Sequence, residues 1–420
     1  MKKLPTDGDV LVIGGGPAGM MAAATAAAGG ARVVLLEKNL VLGKKLLISG
    51  GGRCNVTNHK PVVREMLSKY KAEGKFLFST FMQHGVAQTI EWFADRDVPF
   101  VEENEGRLFP STEKAETIKQ ALVAELTAQA VTVRPQSVVT AITVTGKQFV
   151  VTLADGSTVA APACVVATGG IARPETGSTG EGFDWLKSLG HTIVPNSYAL
   201  VPLALKTLWT KSLSGITIPD CQLTINTDGK KHNAARGKLL FTHVGITGPT
   251  ILNMSKTVGE LLQYSSVMIT VDLFPDKDLG ALDDTLQQLL TDQANKKIRN
   301  ALGTMVPTAL GKAILGQCGI DGESQCNSVT RTSRKALGHY LKAIPLPVKG
   351  LLSKDKAVVS AGGVKLEEVD FKTMESRIVP GLFLVGDVLN INRPSGGYSL
   401  QLCWSTGYVA GTAVASQTPN

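Results

Sequence analysis

Aromatic residues are scarce in this chain, at 5% of 420 residues, and charged residues are few, at 19%. With 43% hydrophobic residues the chain is too apolar to be disordered and long enough for more than one core. None of the six cysteines, Cys54, Cys164, Cys221, Cys318, Cys326 and Cys403, stands in a Cys-x-x-Cys pair. Their scatter argues against a zinc site and a disulfide framework, and a reducing cytoplasm is the simplest home. No run of Lys and Arg is long enough for an RNA groove, and no aromatic cluster offers a stacking surface. Nucleic acid is therefore left out of the expected partners. The net charge of +8 is read as a solvated surface that also suits an anionic ligand. There is no tandem repeat and no long linker.

An uninterrupted apolar span is also missing. Met1-Lys2-Lys3 followed by the uncharged stretch from Val10 to Ala31 has the outline of a signal peptide. But Asp7 and Asp9 stand before the stretch, and Gly14-Gly15-Gly16-Pro17 would break a helix within it. No membrane partner is expected. What the chain has in quantity is glycine, 44 residues, many beside apolar runs. That combination suits an α/β protein with tight strand-to-helix turns.

The most informative stretch is "DVLVIGGGPAGMMAAATAAAGGARVVLLEKN". Val10 to Ile13 reads as a buried strand. Gly14-x-Gly16-x-x-Gly19 follows at once, then a helix from Ala18 to Ala28 stopped by Gly29-Gly30, then a second strand from Arg32 to Leu36. Gly14 permits the tight turn, Gly16 lets the backbone approach a pyrophosphate at the helix start, and Gly19 lets helix and strand pack closely. Glu37 ends the second strand, where a carboxylate can accept both ribose hydroxyls of an adenosine. The unit predicts a bound dinucleotide, FAD or NAD, and disfavours NADP.

Further markers lie far downstream. "PACVVATGG" is a buried strand ending at Thr168-Gly169-Gly170, after a hairpin-like stretch that opens near Val138 and turns at Asp155-Gly156. "GLFLVGDVLNI" gives a strand, Leu382 to Val385, ending in Gly386-Asp387, where an Asp can accept from a ribityl chain. A last helix, from about Ser399 to Ser416, begins just after Gly396-Gly397 and Tyr398. NAD needs no ribityl partner and no second helix. Reduced flavin carries negative charge that a helix N-terminus stabilises, which favours FAD.

"GKKLLISGGGRCNVTN", "TGSTGEGFDWLKSLGH", "LLFTHVGITGPTIL", "SAGGVKLEEVDFKTMESR" and "GGYSLQLCWSTG" resemble, in order and over nearly the whole chain, the BaiN-type family of bacterial FAD-dependent oxidoreductases. That family includes bile-acid enone reductases and proteins labelled aminoacetone oxidase. The resemblance implies that residues 50–55 lie along the flavin. Gly52, Arg53, Cys54 and Asn55 would face the ring system or the diphosphate, and Lys38 and Lys45 the adenosine half and phosphates. With Gly14, Gly16, Ala18, Gly19, Glu37, Val138, Thr168, Gly169, Gly386, Asp387, Gly397, Tyr398 and Ser399 they make up the expected cofactor set. Asn390 stands where the resemblance leads one to expect an acid, and Asn392-Arg393 where a shorter turn is usual.

The middle of the chain changes period. "CQLTIN", "GKLLFT" and "SVMITVDLF" alternate as strands. "LDDTLQQLLTDQANKKI" and "PTALGKAIL" have helical spacing, and the basic ridge "RTSRKALGHYL" reads as a solvated or interdomain face. The expected architecture is α/β. It is a discontinuous Rossmann-type FAD-binding domain, residues 1–196 and 345–420, with an inserted β-rich domain, 197–276, and a small helical domain, 277–344. His243, before the helix start Gly248-Pro249, and Tyr398 are the candidate proton donors. No second dinucleotide fingerprint exists, so NADH or NADPH would serve only as a transient co-substrate over the flavin. The expected activity is hydride transfer through flavin N5 to a small-molecule acceptor such as an activated C=C. The alternatives are an O₂-using oxidase of a small amine and a flavin protein acting on RNA. Oligomeric state is not legible.

Overall fold

The computed structural model describes residues 7–352 and 359–417. The basic Met1-Lys2-Lys3 start falls outside the described residues. The chain divides into two compact units, residues 1–198 with 358–420, and residues 199–357.

The first unit is built on a seven-stranded sheet, and its order follows from the buried apolar runs. Val10–Ile13 lies at the centre, parallel to Val33–Leu36 on one side and to Ala163–Val166 on the other. Leu382–Leu384 extends the sheet beyond Ala163–Val166, and Thr132–Arg134 extends it beyond Val33–Leu36, both parallel. Two short antiparallel strands, Val369–Asp370 and Glu375–Ser376, finish one edge. Strands buried on both faces carry continuous Val, Ile and Leu, as these do.

The opening helix, Pro17–Ala28, packs along the closing helix, Tyr398–Gln417. Small residues make this possible. A Cβ on Gly407 would sit 2.5 Å from the Ala18 carbonyl oxygen, and one on Gly411 2.6 Å from that of Ala22. The alanines that gave the opening helix little amphipathic character thus receive a second helix at backbone contact. Two smaller sheets flank this body. One pairs Thr57–Asn58 and Phe100–Glu103 with Arg107–Pro110. The other is the expected hairpin, Val139–Thr145, Gln148–Leu153 and Thr158–Ala161, with its turn closed by Asp155 Oδ1 accepting from the Ser157 amide at 2.9 Å.

The second unit is a closed barrel in the order Leu203–Leu205, Gly245–Thr247, Lys230–Phe241, Thr217–Thr227, Met268–Asp272 and Ile344–Leu351. The last strand corrects the sequence-based boundaries. Residues 345–351, assigned there to the returning FAD-binding part, pair instead with Leu203–Leu205 and Met268–Asp272 and close the barrel. The separate helical domain is corrected too. Leu282, Leu286, Leu310, Ile314, Leu337 and Leu341 share one apolar cluster with Ile269, Val271 and Leu346 of the barrel. In the basic ridge, helix Arg331–Lys342, Arg334 is bonded to Asp283 at 2.8 Å and Lys342 to Asp272 at 2.6 Å. Among the described residues no helix is long and apolar enough to cross a membrane.

Candidate functional site

The glycine turn after the central strand is shaped by what surrounds it. Gly14 takes φ 107° and its amide donates to the Leu36 carbonyl at 2.8 Å. A Cβ there would lie 2.5 Å from the Ala167 carbonyl oxygen, and one on Gly19 would lie 1.9 Å from that of Gly14. Gly16 differs. It caps the opening helix in an extended conformation, and nothing stands within 4 Å of where its Cβ would be. The helix's first turn carries no acid. The space over Gly16 at the helix start therefore suits a diphosphate.

Glu37 is buried, and both carboxylate oxygens are engaged. Oε2 accepts from the Gly15 amide at 2.7 Å, and Oε1 accepts from the backbone and side-chain amides of Asn39, each at 2.7 Å. The acid is thus fixed beside the glycine turn. Lys38 Nζ donates to Thr179 Oγ1 at 2.6 Å and pairs with Glu181 at 2.8 Å, which draws the 176–182 segment against the second strand. Val138, 41% exposed, follows Ser137, whose amide donates to the Glu37 carbonyl at 2.9 Å. Thr168 Oγ1 is buried with no protein partner, beside Gly169 at φ 77°. An orphaned hydroxyl at a strand end facing a glycine turn is what a bound polar group would satisfy.

The opposite end of the chain comes to the same place. Gly386 sits where a Cβ would lie 2.9 Å from that of Ala18. Next to it Asp387 pairs with Arg393 and, at 3.4 Å, with Lys45. Burial alone would push the Asp387 carboxyl up. Arg393, then Lys45, outweigh it and hold the group below the usual carboxylate range. Arg393 is itself buried, with Nη1 donating to the Ile391 carbonyl at 2.6 Å and Nε to Ser399 Oγ at 3.1 Å. The residue flagged as a departure from the family pattern therefore ties the Gly386-Asp387 turn to the first turn of the closing helix.

The triple-glycine loop runs through left-handed backbone at Gly50, Gly51, Gly52 and Cys54, with φ 56°, 70°, 88° and 62°. Arg53 turns away to Glu103 at 2.6 Å and Glu113 at 3.1 Å, with its guanidinium carbon 4.2 Å from the Phe109 ring centre. Its side chain anchors the loop to the small sheet, which leaves approach to a ligand to the loop's backbone. Asn55 bridges to the closing helix: its amide group donates to the Thr57 carbonyl at 2.9 Å, and its oxygen accepts from the Gly397 amide at 3.1 Å. Burial pushes the Cys54 thiol up to about 12. Iodoacetamide at about pH 8 is expected to leave Cys54 unmodified in the folded protein and to alkylate it in denaturant, as read by peptide mass spectrometry.

Sequence reasoning missed the buried groups that seat the closing helix. Thr57 Oγ1 donates to Gln401 Oε1 at 2.6 Å, and Gln401 Nε2 donates to Thr89 Oγ1 at 2.8 Å. Tyr70 Oη donates to the Tyr398 carbonyl at 2.7 Å. The polar Gln in the apolar "SLQLCW" was the available signal for a buried network. Tyr398 is buried, its ring edge-on to Tyr70 at 6.1 Å. Burial, with Glu105 adding to it, pushes its hydroxyl up to about 12. It is protonated at neutral pH and can donate only to a strongly basic centre, such as an enolate-type carbon. His243 lies in the other unit, exposed, two residues past strand Lys230–Phe241 in the turn that leads into Gly245–Thr247.

A third arrangement resembles a nucleophilic relay. Ser376 Oγ meets His191 Nε2 at 2.9 Å, and His191 Nδ1 meets Glu368 at 3.0 Å. But Ser376 Oγ also accepts from the Ile378 and Val379 amides, at 3.0 and 2.9 Å, and is buried. It pins the turn after Glu375–Ser376 and cannot reach a substrate.

Comparison with known proteins gives the family and the fold. The model of the HI0933-like protein Rossmann domain family matches residues 8–413. The chain is 29% identical over 377 residues to a 3-dehydro-bile acid delta(4,6)-reductase of Clostridium scindens, covering 90% of this chain and 91% of that one. It is 30% identical over 378 residues to a ribosomal RNA dihydrouridine synthase of Escherichia coli, covering 87% and 88%. Among solved structures, a flavocytochrome c3 fumarate reductase in its open conformation is similar with TM-score 0.54 and 17% identity, over 97% of this chain and 78% of that one. A 3-ketosteroid-delta4-(5alpha)-dehydrogenase of Rhodococcus jostii RHA1 is similar with TM-score 0.52 and 15% identity, over 99% and 98%. At these identities the two structures bear on the fold alone.

Proposed function

The chain belongs to the HI0933-like Rossmann family, and from that premise we propose that it is an FAD-dependent oxidoreductase that reduces a C=C bond conjugated with a carbonyl group. The observation that carries the reading is the open position over Gly16, flanked by glycines that admit no side chain and by the fixed carboxylate of Glu37. FAD, when bound, supplies hydride transfer at its N5. The protein's part is to hold and orient. Gly14, Gly16, Ala18 and Gly19 would hold the diphosphate, and Glu37 with Lys38 and Val138 the adenosine half. Thr168, Gly169, Gly386 and Asp387, with Lys45 on Asp387, would hold the middle of the cofactor. The backbone of Gly52, Cys54 and Asn55 and the start of the closing helix at Gly397, Tyr398 and Ser399 would hold the ring. Tyr398, protonated at neutral pH, would return the second hydrogen as a proton to the carbon α to the carbonyl, with His243 as the other candidate.

The two relatives' printed activities support the conjugated C=C. A delta(4,6)-reductase saturates a ring double bond of a ketone, and a dihydrouridine is a uridine whose ring C=C has taken up two hydrogens. Two substrate classes therefore stand, a small cyclic enone and a pyrimidine in RNA.

The test is spectral. Anaerobic holoprotein is expected to lose its flavin absorption on adding NADH or NADPH and to regain it on adding a small enone or a uridine-containing transcript. Tyr398→Phe and His243→Gln should bleach normally, and the variant lacking the true donor should lose its reoxidation about 10²-fold or more. Peroxide release with a small amine and no nicotinamide would overturn the reductase reading.

A further inference from the structure

In the first unit, helix Phe78–Gln83 and the segment 366–377 enclose a groove of about 550 Å³, away from the glycine turn. Its lining combines rings and cations: Phe76, Phe78, Phe371, Lys75, Lys372 and Arg377. Phe78 is 45% exposed, and Met82, one turn further along the same helix, is 58% exposed. These two large apolar side chains, at i and i+4, stand exposed at and beside the groove. Phe76 and Phe371 meet at 5.7 Å, and Lys75 Nζ stands 5.1 Å from the Phe76 ring centre.

The walls are fixed. Thr80 Oγ1 donates to the Phe371 carbonyl at 2.7 Å, and Gln83 Nε2 to the Lys372 carbonyl at 2.9 Å. The Ser376–His191–Glu368 chain holds the far wall from behind. The charge is one-sided once pairing is counted. Of the two carboxylates in the lining, Asp370 is met by Arg377 at 3.5 Å, which leaves Glu367. Lys75 and Lys372 have no ion pair among the described residues, and neither do Arg64, Lys69 and Lys71, exposed on helix Val63–Ser68 and the chain that follows it into the groove. An apolar protein partner would leave these cations unmatched. A polyanion with flat faces would match both features.

We propose that this groove docks a single-stranded segment of RNA, with a base against Phe78 and phosphates on Lys75 and Lys372. The inference rests on the RNA reading of the substrate given above and adds to it a place on the protein. The groove is tied to the closing helix by a short stretch of chain. Tyr70, which bonds the Tyr398 carbonyl, and Glu73, which accepts from Asn392 at 2.8 Å, stand just before Lys75. None of the groove's lining residues is among those proposed to hold the cofactor.

The experiment is fluorescence anisotropy of holoprotein with a fluorescein-labelled oligouridylate about a dozen nucleotides long, between about 50 and 200 mM salt. Phe78→Ala is expected to weaken binding by about tenfold with an unchanged salt slope, because stacking is lost and no phosphate contact is. Lys75→Glu with Lys372→Glu is expected to weaken it by more than about tenfold and to flatten the slope by roughly 2. Each variant should keep the parent's flavin content and its bleaching by nicotinamide, which certifies folding. If the parent binds and both variants bind equally well, the groove assignment is wrong while the RNA reading stands. If the parent does not bind and reduces only small enones, the RNA reading fails and the groove proposal with it. If Phe78→Ala instead abolishes self-association in sedimentation and leaves RNA binding intact, the surface is a contact between copies and the proposal is overturned.

Discussion

Replacing Arg393 with leucine is expected to lower stability by about 3–5 kcal/mol at neutral pH, because the change strands a buried carboxylate. The Arg393 side chain is 1% exposed and Asp387 12% exposed, so solvent cannot take over the lost partner. The pH dependence should identify the cause. In the parent, Asp387 titrates below its unfolded value, so its contribution is present above the ordinary value of 3.8 and lost only as pH falls through the lower folded value. In Arg393→Leu the larger of the two charges that oppose burial is gone, and the folded value is expected to rise above the unfolded one. The sign then inverts: the deficit is greatest near neutrality and shrinks as pH falls toward the carboxylate range. Thermal melts of parent and variant at about pH 7.5 and about pH 5 should converge at the lower pH. A deficit that stays constant would assign the loss to packing rather than to charge.

The second large effect is expected at Gly19. Alanine there puts a methyl carbon 1.9 Å from the Gly14 carbonyl oxygen and 3.1 Å from the Ala167 side chain. Neither can yield without moving the helix off the sheet, so a loss of about 3 kcal/mol or more is expected, together with loss of retained flavin. Gly16→Ala is the matched control. Its new methyl meets nothing within 4 Å, and φ −78° is open to any residue. That variant should melt within about 1 kcal/mol of the parent yet retain less flavin, since the methyl occupies the diphosphate's approach. Full flavin content in Gly16→Ala would remove the cradle from the Gly16 position.

The parts of the fold legible in the sequence were those where one local signal had one structural solution. "VLVIGGGPAG" could only be strand, turn and helix, and helix Pro17–Ala28 begins where the proline allows it. The closing helix was visible as a helix, but not as the partner of the opening one. That partnership depends on Gly407 and Gly411 meeting Ala18 and Ala22, and a glycine in a helix looks like a weakness until its neighbour is known. Barrel closure was hidden because Ile344–Leu351 is separated from Leu203–Leu205 by most of the insert, and alternation does not say which strand is last. The glycine turn was legible because its close packing is decided by the backbone. Arg53 was not, since a long side chain can leave the place its backbone occupies, and here it goes to Glu103. That Lys75 and Lys372 line one groove was hidden for a related reason: the fold gathers cations that the sequence keeps far apart.

The second unit is one unbroken stretch of chain, while the first needs residues from both sides of it. On the ribosome the barrel can therefore close as soon as Ile344–Leu351 emerges. The large sheet must wait for Leu382–Leu384, and the alanine face of Pro17–Ala28 stays uncovered until the last helix is made. Synthesis order thus leaves an apolar helix face waiting through most of translation, the kind of transiently exposed surface that is prone to aggregate before folding is complete.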